Sequence, residues 1–225
     1  DALGILRAAL SRFGERVALA SSLGVEDQVL LHMMMQLGPR PRVFTLDTGR
    51  LPQETYDLIA TTEEEYGIRF ELVFPERKDL EQLAEIGGPN LFYNGIEHRR
   101  ACCRTRKVLP LRRKLAELDA WVTGLRREQS PTRERVVRVE WDVEHGLVKL
   151  NPLVNWTTAA VWDYVRANAV PVNRLHGCGY QSIGCAPCTR PVKPGEEVRA
   201  GRWWWERPEH KECGLHVRDG KLVRQ

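Results

Sequence analysis

Short apolar runs that end in a polar, glycine-bearing turn and then give way to a helical period recur through this chain. That alternation restricts its fold more than any other feature. "VALA" at residues 17–20 stops at Ser21-Ser22-Leu23-Gly24, and a helical pattern follows from 26 to 36. "RVFTLDTG" repeats the unit, with a strand expected at 43–46, a turn at 47–49 and a helix from 52 to 66 opened by Pro52. A third strand is expected at 68–74 with a helix near 78–84. A fourth is expected at 120–124, preceded by a helix over 108–118. Strands alternating with helices predict an α/β fold, an open and mainly parallel sheet with helices on both faces. Ligands of such sheets gather at the carboxyl ends of the strands, so the turns at 21–24, 47–49 and 124–127 are expected to converge.

Around this frame, Leu3, Leu6, Leu10 and Phe13 predict an amphipathic first helix, and "RVVRVEWD" with "LVKLNPL" predicts a late hairpin. Thr157 is placed to cap a helix running to Asn168. Glycine, proline and cysteine then dominate residues 177–195, which is loop composition. The longest apolar runs are far too short for a membrane span, and no secretory pattern opens the sequence. The expectation is a cytoplasmic protein without a membrane partner. A net charge of +4 favours anionic ligands mildly and is too small to argue for nucleic acid.

Six cysteines occur, at 102, 103, 178, 185, 188 and 213. In a chain of this kind, clustered cysteines point to metal or thiol chemistry rather than disulfides. Cys185 and Cys188, in "CAPC", have the spacing that lets two thiolates grip one centre. Cys102 and Cys103 are adjacent, and adjacent helical side chains diverge by about 100°. Both serve one centre only if it is large or the backbone is irregular. A cubane iron–sulfur cluster meets that condition better than one zinc ion, although four thiolates suit either. Cys178 has no partner at ligand spacing and reads as a packing cysteine.

The turn "SSLGVED" follows a strand and opens a helix, so its amides form an anion site, yet it lacks the lysine ending of a Walker loop. Lys107 lies four residues after Cys103, on the cysteine side of any helix there. Arg126 and Arg127 follow a strand end, and Arg199 and Arg202 stand three apart in "VRAGRWWWE". The triple tryptophan reads as packing or as apolar surface for a homo-oligomer contact. Near the end, "HKECGLH" sets Cys213 beside Lys211, His210 and His216, which favour a reactive thiolate.

Together "SSLGVED", "LDTGR", "CCRTRKV", "TGLRREQS", "SIGCAPCTR", "GRWWWE" and "KECGLH" resemble, in order and over nearly the whole chain, the assimilatory adenylyl-sulfate (APS) reductases. The resemblance implies an adenine nucleotide alpha hydrolase-like fold and thioredoxin-dependent reduction of adenosine 5′-phosphosulfate to sulfite and AMP. It implies a 4Fe–4S cluster on Cys102, Cys103, Cys185 and Cys188, and Cys213 as the nucleophile. It further implies substrate contacts at Ser21, Ser22, Gly24, Leu46, Asp47, Gly49, Lys107, Arg126, Arg127, Arg199, Arg202 and His216. Residues 1–195 would form the nucleotide-binding body and 196–225 a mobile tail. Rival readings are a reductase of the 3′-phosphorylated substrate (PAPS), or of both, and a metal-bound tRNA-thiolating ATPase. The absent pyrophosphate grip argues against the ATPase.

Overall fold

A computed structural model describes residues 1–38, 40–130 and 133–207. The expectations for Cys213 and His216 therefore fall outside the described residues. Helix α1 (Ala2–Phe13) starts with the Asp1 carboxylate accepting from the Gly4 amide. Strand β1 (Val17–Ala20) leads to α2 (Val25–Leu37), β2 (Arg42–Leu46) to α3 (Gln53–Tyr66), and β3 (Glu71–Val73) to α4 (Arg77–Gly87). Then come α5 (Ile96–Cys103), α6 (Leu109–Leu115) and β4 (Ala120–Val122). The hairpin β5 (Val139–Asp142) and β6 (Leu147–Leu150) and the helix α7 (Thr158–Asn168) follow. Thr157 caps α7 as expected, its hydroxyl accepting from the Ala160 amide at 3.1 Å, a contact worth about 1 kcal/mol.

The six strands form one sheet in the order β3-β2-β1-β4-β6-β5. All neighbours are parallel except the edge pair β5 and β6. Alternation along each strand splits the core in two. Val17, Leu19, Val43, Ala120 and Val122 pack with Leu6, Val29, Leu58 and Val161 on one face. Ala18, Phe44 and Trp121 pack with Leu111 and Leu115 on the other. Each fully buried leucine or valine contributes about 1.5–3 kcal/mol, so both faces are secured by burial. The chain steps outward from β1 through β2 to β3, then returns to β4 on the far side of β1. That reversal opens a crevice at the carboxyl ends of β1 and β4.

Two expected elements differ. The strand expected at 68–74 narrows to β3, because the Phe70 amide bonds to the Glu63 carboxylate at 2.8 Å instead of to a strand. The helix expected over 108–118 is preceded by a π-helical turn at Arg104–Val108, in which the Leu109 amide reaches back five residues to the Arg104 carbonyl. Pro110 has no amide to offer the carbonyl four residues earlier, and a widened turn accommodates that loss. Such turns mark functional sites.

Candidate active site

A cavity of about 520 Å³ opens at the crevice, and the turns expected to converge do so. Ser21, Ser22 and Gly24 line it from the β1 turn, with Leu46 and Thr48 from the β2 turn. Asp47 and Gly49 shape that second turn without reaching the wall. The Asp47 carboxylate accepts from the Gly49 amide at 2.8 Å and from the Tyr56 hydroxyl at 2.9 Å, and Gly49 takes a positive φ of 69°. Lys107, Arg126, Arg199 and Arg202 are all in the wall, so the cavity is cationic.

The first turn is built around a residue that sequence reasoning passed over. Asp27 is buried, and one of its oxygens accepts both the Ser22 amide and the Ser22 hydroxyl at 2.7 Å. These bonds hold Leu23 in the left-handed region (φ 58°), and its buried side chain offsets a strain of about 1–2 kcal/mol. An acidic residue in the first turn of a helix, reaching back to an amide before it, was the available signal. Gly124, at the end of β4, passes so close that a Cβ would lie 2.9 Å from that of Glu26 and strike the Asp27 carboxylate. Burial pushes the Asp27 carboxyl up to about 6, against the opposing bonds from Ser22. Its folded value thus lies above the ordinary 3.8, so the folded state holds the proton more tightly. Stability contributed at this site is highest below about pH 4 and is lost as pH rises to about 6. Replacing Asp27 by Asn, which keeps an acceptor for Ser22, is expected to flatten this slope in urea denaturation measured from pH 4 to 7.

Arg126 is buried and its five N–H groups are all engaged. They bond Glu26 (2.9 and 2.8 Å), Glu128 (2.9 Å), the Trp156 carbonyl (3.1 Å) and the Thr158 hydroxyl (3.2 Å). It therefore braces the wall formed by α2 and α7. Replacing it by methionine is expected to cost about 2 kcal/mol in chemical denaturation, because the partly buried Glu26 would lose its partner. Arg127 stands outside the wall, bonded to the Val136 carbonyl at 2.9 Å and the Asn155 side chain at 3.0 Å.

Behind the cavity, Cys102, Cys103, Cys185 and Cys188 are all buried and line one small pocket with Arg99, Arg106 and Trp203. The π turn after Cys103 supplies the backbone irregularity that adjacent cysteines need, and it carries Arg106 and Lys107 to the same pocket. Burial and the neighbouring Cys185 push the Cys188 thiol up to about 12. For Cys185, burial works against ionisation, but Lys107, the Thr48 hydroxyl at 3.3 Å, Arg202 and Arg106 outweigh it, and its pKa is lowered. Among the described residues, no three His, Cys, Asp or Glu side chains are grouped to hold a metal ion. The thiols enclose a shared pocket rather than a point. Lys107 and Cys185 belong to both walls, that of the thiol pocket and that of the cationic cavity.

Within residues 196–207, read from sequence as the root of a tail, Trp203 lines this pocket and Glu206 pairs with its Arg99. Trp203 is buried with the Arg99 and Arg202 guanidinium groups 4.8 and 4.9 Å from its ring. Glu206 forms a buried pair with Arg99 at 2.8 Å, and the Trp203 amide bonds the Cys188 carbonyl at 3.0 Å. Of the tryptophans read as one packing or interface group, Trp204 alone is exposed. Cys178, read as a packing cysteine, is exposed at the end of a short 3₁₀ turn, where glycines on both sides leave it little to pack against.

Residues 16–191 match the phosphoadenosine phosphosulfate reductase domain. The chain belongs to the APS/PAPS reductase family. It is 51% identical to the adenosine 5′-phosphosulfate reductase of Allochromatium vinosum, over 91% of this chain and 80% of that protein. It is 49% identical to the enzyme of the same name from Burkholderia cepacia, over 94% of this chain and 86% of that one. Among solved structures it is similar to a phosphoadenylyl-sulfate reductase from Candida auris in a phosphate complex, with 27% identity and a TM-score of 0.71. That match covers 85% of this chain and 90% of the other. An FMN adenylyltransferase from Candida glabrata shares the fold, with a TM-score of 0.58 at 15% identity, covering 100% of this chain and 76% of the other. The mainly parallel sheet covered on both faces is thus a fold shared with these proteins, and no helix among the described residues is long and apolar enough to cross a membrane.

Proposed function

We propose that this chain reduces adenosine 5′-phosphosulfate to sulfite and AMP, with thioredoxin as the electron donor and Cys213 as the sulfur carrier. The observation that carries the reading is the shared wall: Lys107 stands between a cationic cavity at a nucleotide-binding crevice and a pocket of four buried thiols. The relatives near 50% identity are named for this substrate, which lacks the 3′-phosphate, and that favours it over PAPS.

Cys102, Cys103, Cys185 and Cys188 would hold a 4Fe–4S cluster. The donor set fits one: four buried thiols around a shared pocket, ringed by Arg99, Arg106 and Lys107. Four such thiols cannot all ionise unaided, since burial holds the Cys102 and Cys188 thiols protonated. When bound, the cluster would supply metal charge to hold the four thiolates and a fixed anionic neighbour for Lys107.

The chain's own groups perform the chemistry. The turn at 21–24 receives the phosphate beside the α2 N-terminus, while Lys107, Arg199 and Arg202 face the sulfate. The Cys213 thiolate attacks the sulfate sulfur, the sulfur–oxygen bond to the phosphate breaks, and AMP departs with the electron pair. A thioredoxin thiolate then attacks the Cys213 sulfur and sulfite leaves. The second thioredoxin thiol resolves the mixed disulfide. Two thiols become one disulfide while sulfur(VI) becomes sulfur(IV), so the electrons balance without a change in the cluster. The test is sulfite release from APS and from PAPS, each with and without thioredoxin, alongside iron and acid-labile sulfide analysis. Thioredoxin-dependent sulfite from APS on an iron-bearing protein supports the reading. Turnover confined to PAPS, or a zinc-loaded active protein, would overturn it.

A further inference from the structure

Gly184 stands in the cavity wall immediately before Cys185. It does not take a positive φ, so its backbone conformation is one that other residues adopt. Space is what requires a glycine there. A Cβ on residue 184 would lie 2.5 Å from the guanidinium carbon of Arg202 and 3.0 Å from its Nε. An ordinary contact needs about 3.5–4.0 Å. The three atoms nearest that Cβ all belong to Arg202, so any side chain at 184 meets this arginine first. Arg202 is held from other sides as well. Its Nη1 donates to the Ile183 carbonyl at 3.1 Å and to the Ser182 hydroxyl at 3.3 Å, and its guanidinium lies 4.9 Å from the Trp203 ring.

The two sides of this contact differ in how they can give. The backbone beyond Gly184 is anchored, with the Ala186 amide on the Arg50 carbonyl at 2.8 Å and the Cys188 amide on the Cys185 carbonyl at 2.9 Å. The guanidinium is the end of a flexible side chain. An added methyl would therefore push Arg202 aside by about 1 Å and leave the fold in place. Gly201 is a different case: a Cβ there would strike the Arg190 carbonyl, which is backbone, so that glycine serves the fold. We propose that Gly184 is a positioning residue for the anionic end of the substrate, its missing side chain setting the place in the cavity wall from which Arg202 meets the sulfate. The assignment rests on the reading of this cavity as the APS site. Misplacing a positioning group by about 1 Å costs about a hundredfold in rate, so a single methyl at 184 has a large effect without touching substrate itself.

Thioredoxin-dependent sulfite release from APS tests the proposal in Gly184→Ala, Arg202→Ala, the double variant and Gly177→Ala, with iron content and melting temperature measured for each. Gly177 is an exposed glycine outside the cavity wall, and a Cβ there would meet nothing within 4 Å. The expected kcat/KM falls about a hundredfold in Gly184→Ala and stays at the parent value in Gly177→Ala. Adding Gly184→Ala to Arg202→Ala is expected to cost less than about twofold, because the group it displaces is already gone. APS affinity from isothermal titration follows the same pattern and keeps the cycle readable where turnover is slow. Iron content and melting temperature are expected to match the parent chain. Equal losses in both backgrounds would mark a structural role and overturn the proposal, as would a rate lost together with the iron. A Gly184→Ala variant as fast as an active parent would overturn it and leave the substrate reading intact. A parent chain inert toward APS would overturn the substrate reading and the role of Gly184 with it.

Discussion

Cys213→Ser is expected to lower turnover by more than about a thousandfold while leaving APS binding within a few-fold of the parent chain. The hydroxyl that replaces the thiol is a far weaker nucleophile at neutral pH, and no other exposed cysteine is placed to substitute for it. The cavity cysteine Cys185 is buried, and Cys178, although exposed, does not line the cavity. Binding is expected to survive because the groups proposed to hold the anion belong to the folded body: Ser22, Gly24, Lys107, Arg199 and Arg202 all stand in the cavity wall. Stopped turnover with retained affinity, read by isothermal titration beside sulfite release, is the signature of a lost carrier. A comparable loss of affinity would instead make the residue part of the binding site.

The second large effect is expected at Lys107. Removing one cationic donor to developing oxyanion charge costs about a hundred- to a thousandfold in kcat, and Lys107→Met is expected to fall in that range. Its position decides the size. A lysine only on the cavity wall would share its work with Arg199 and Arg202, but Lys107 also faces the thiol pocket and favours the Cys185 thiolate. Lys107→Arg, keeping the charge in a different shape, is expected to recover part of the rate. Iron content should change less than kcat in both variants. If Lys107→Met lost its iron and its rate together, the residue would serve the cysteine site rather than the substrate.

The sheet was legible because each strand ends in a turn whose composition differs from the helix that follows, as at residues 17–26 and 43–52. The thiol set was legible from the spacing of Cys185 and Cys188 and the adjacency of Cys102 and Cys103. The geometry between these parts was not. That Arg126 is spent on Glu26, Glu128 and Thr158 depends on α2 and α7 packing side by side on one face of the sheet, which no local pattern reveals. The same holds for Glu206 closing on Arg99 over 107 residues of sequence. Asp27 escaped attention because its importance comes from burial, and a first-turn aspartate is ordinary on a solvated helix. The π turn could have been suspected from Pro110, but its length follows from packing around the cysteines.

The most direct test is mass spectrometry of anaerobically purified protein after exposure to APS alone, without thioredoxin. The relay predicts a single sulfonate adduct on Cys213, absent from Cys213→Ser and released as sulfite when thioredoxin is added. An iron-loaded protein that turns over APS yet carries no adduct at Cys213 would contradict it.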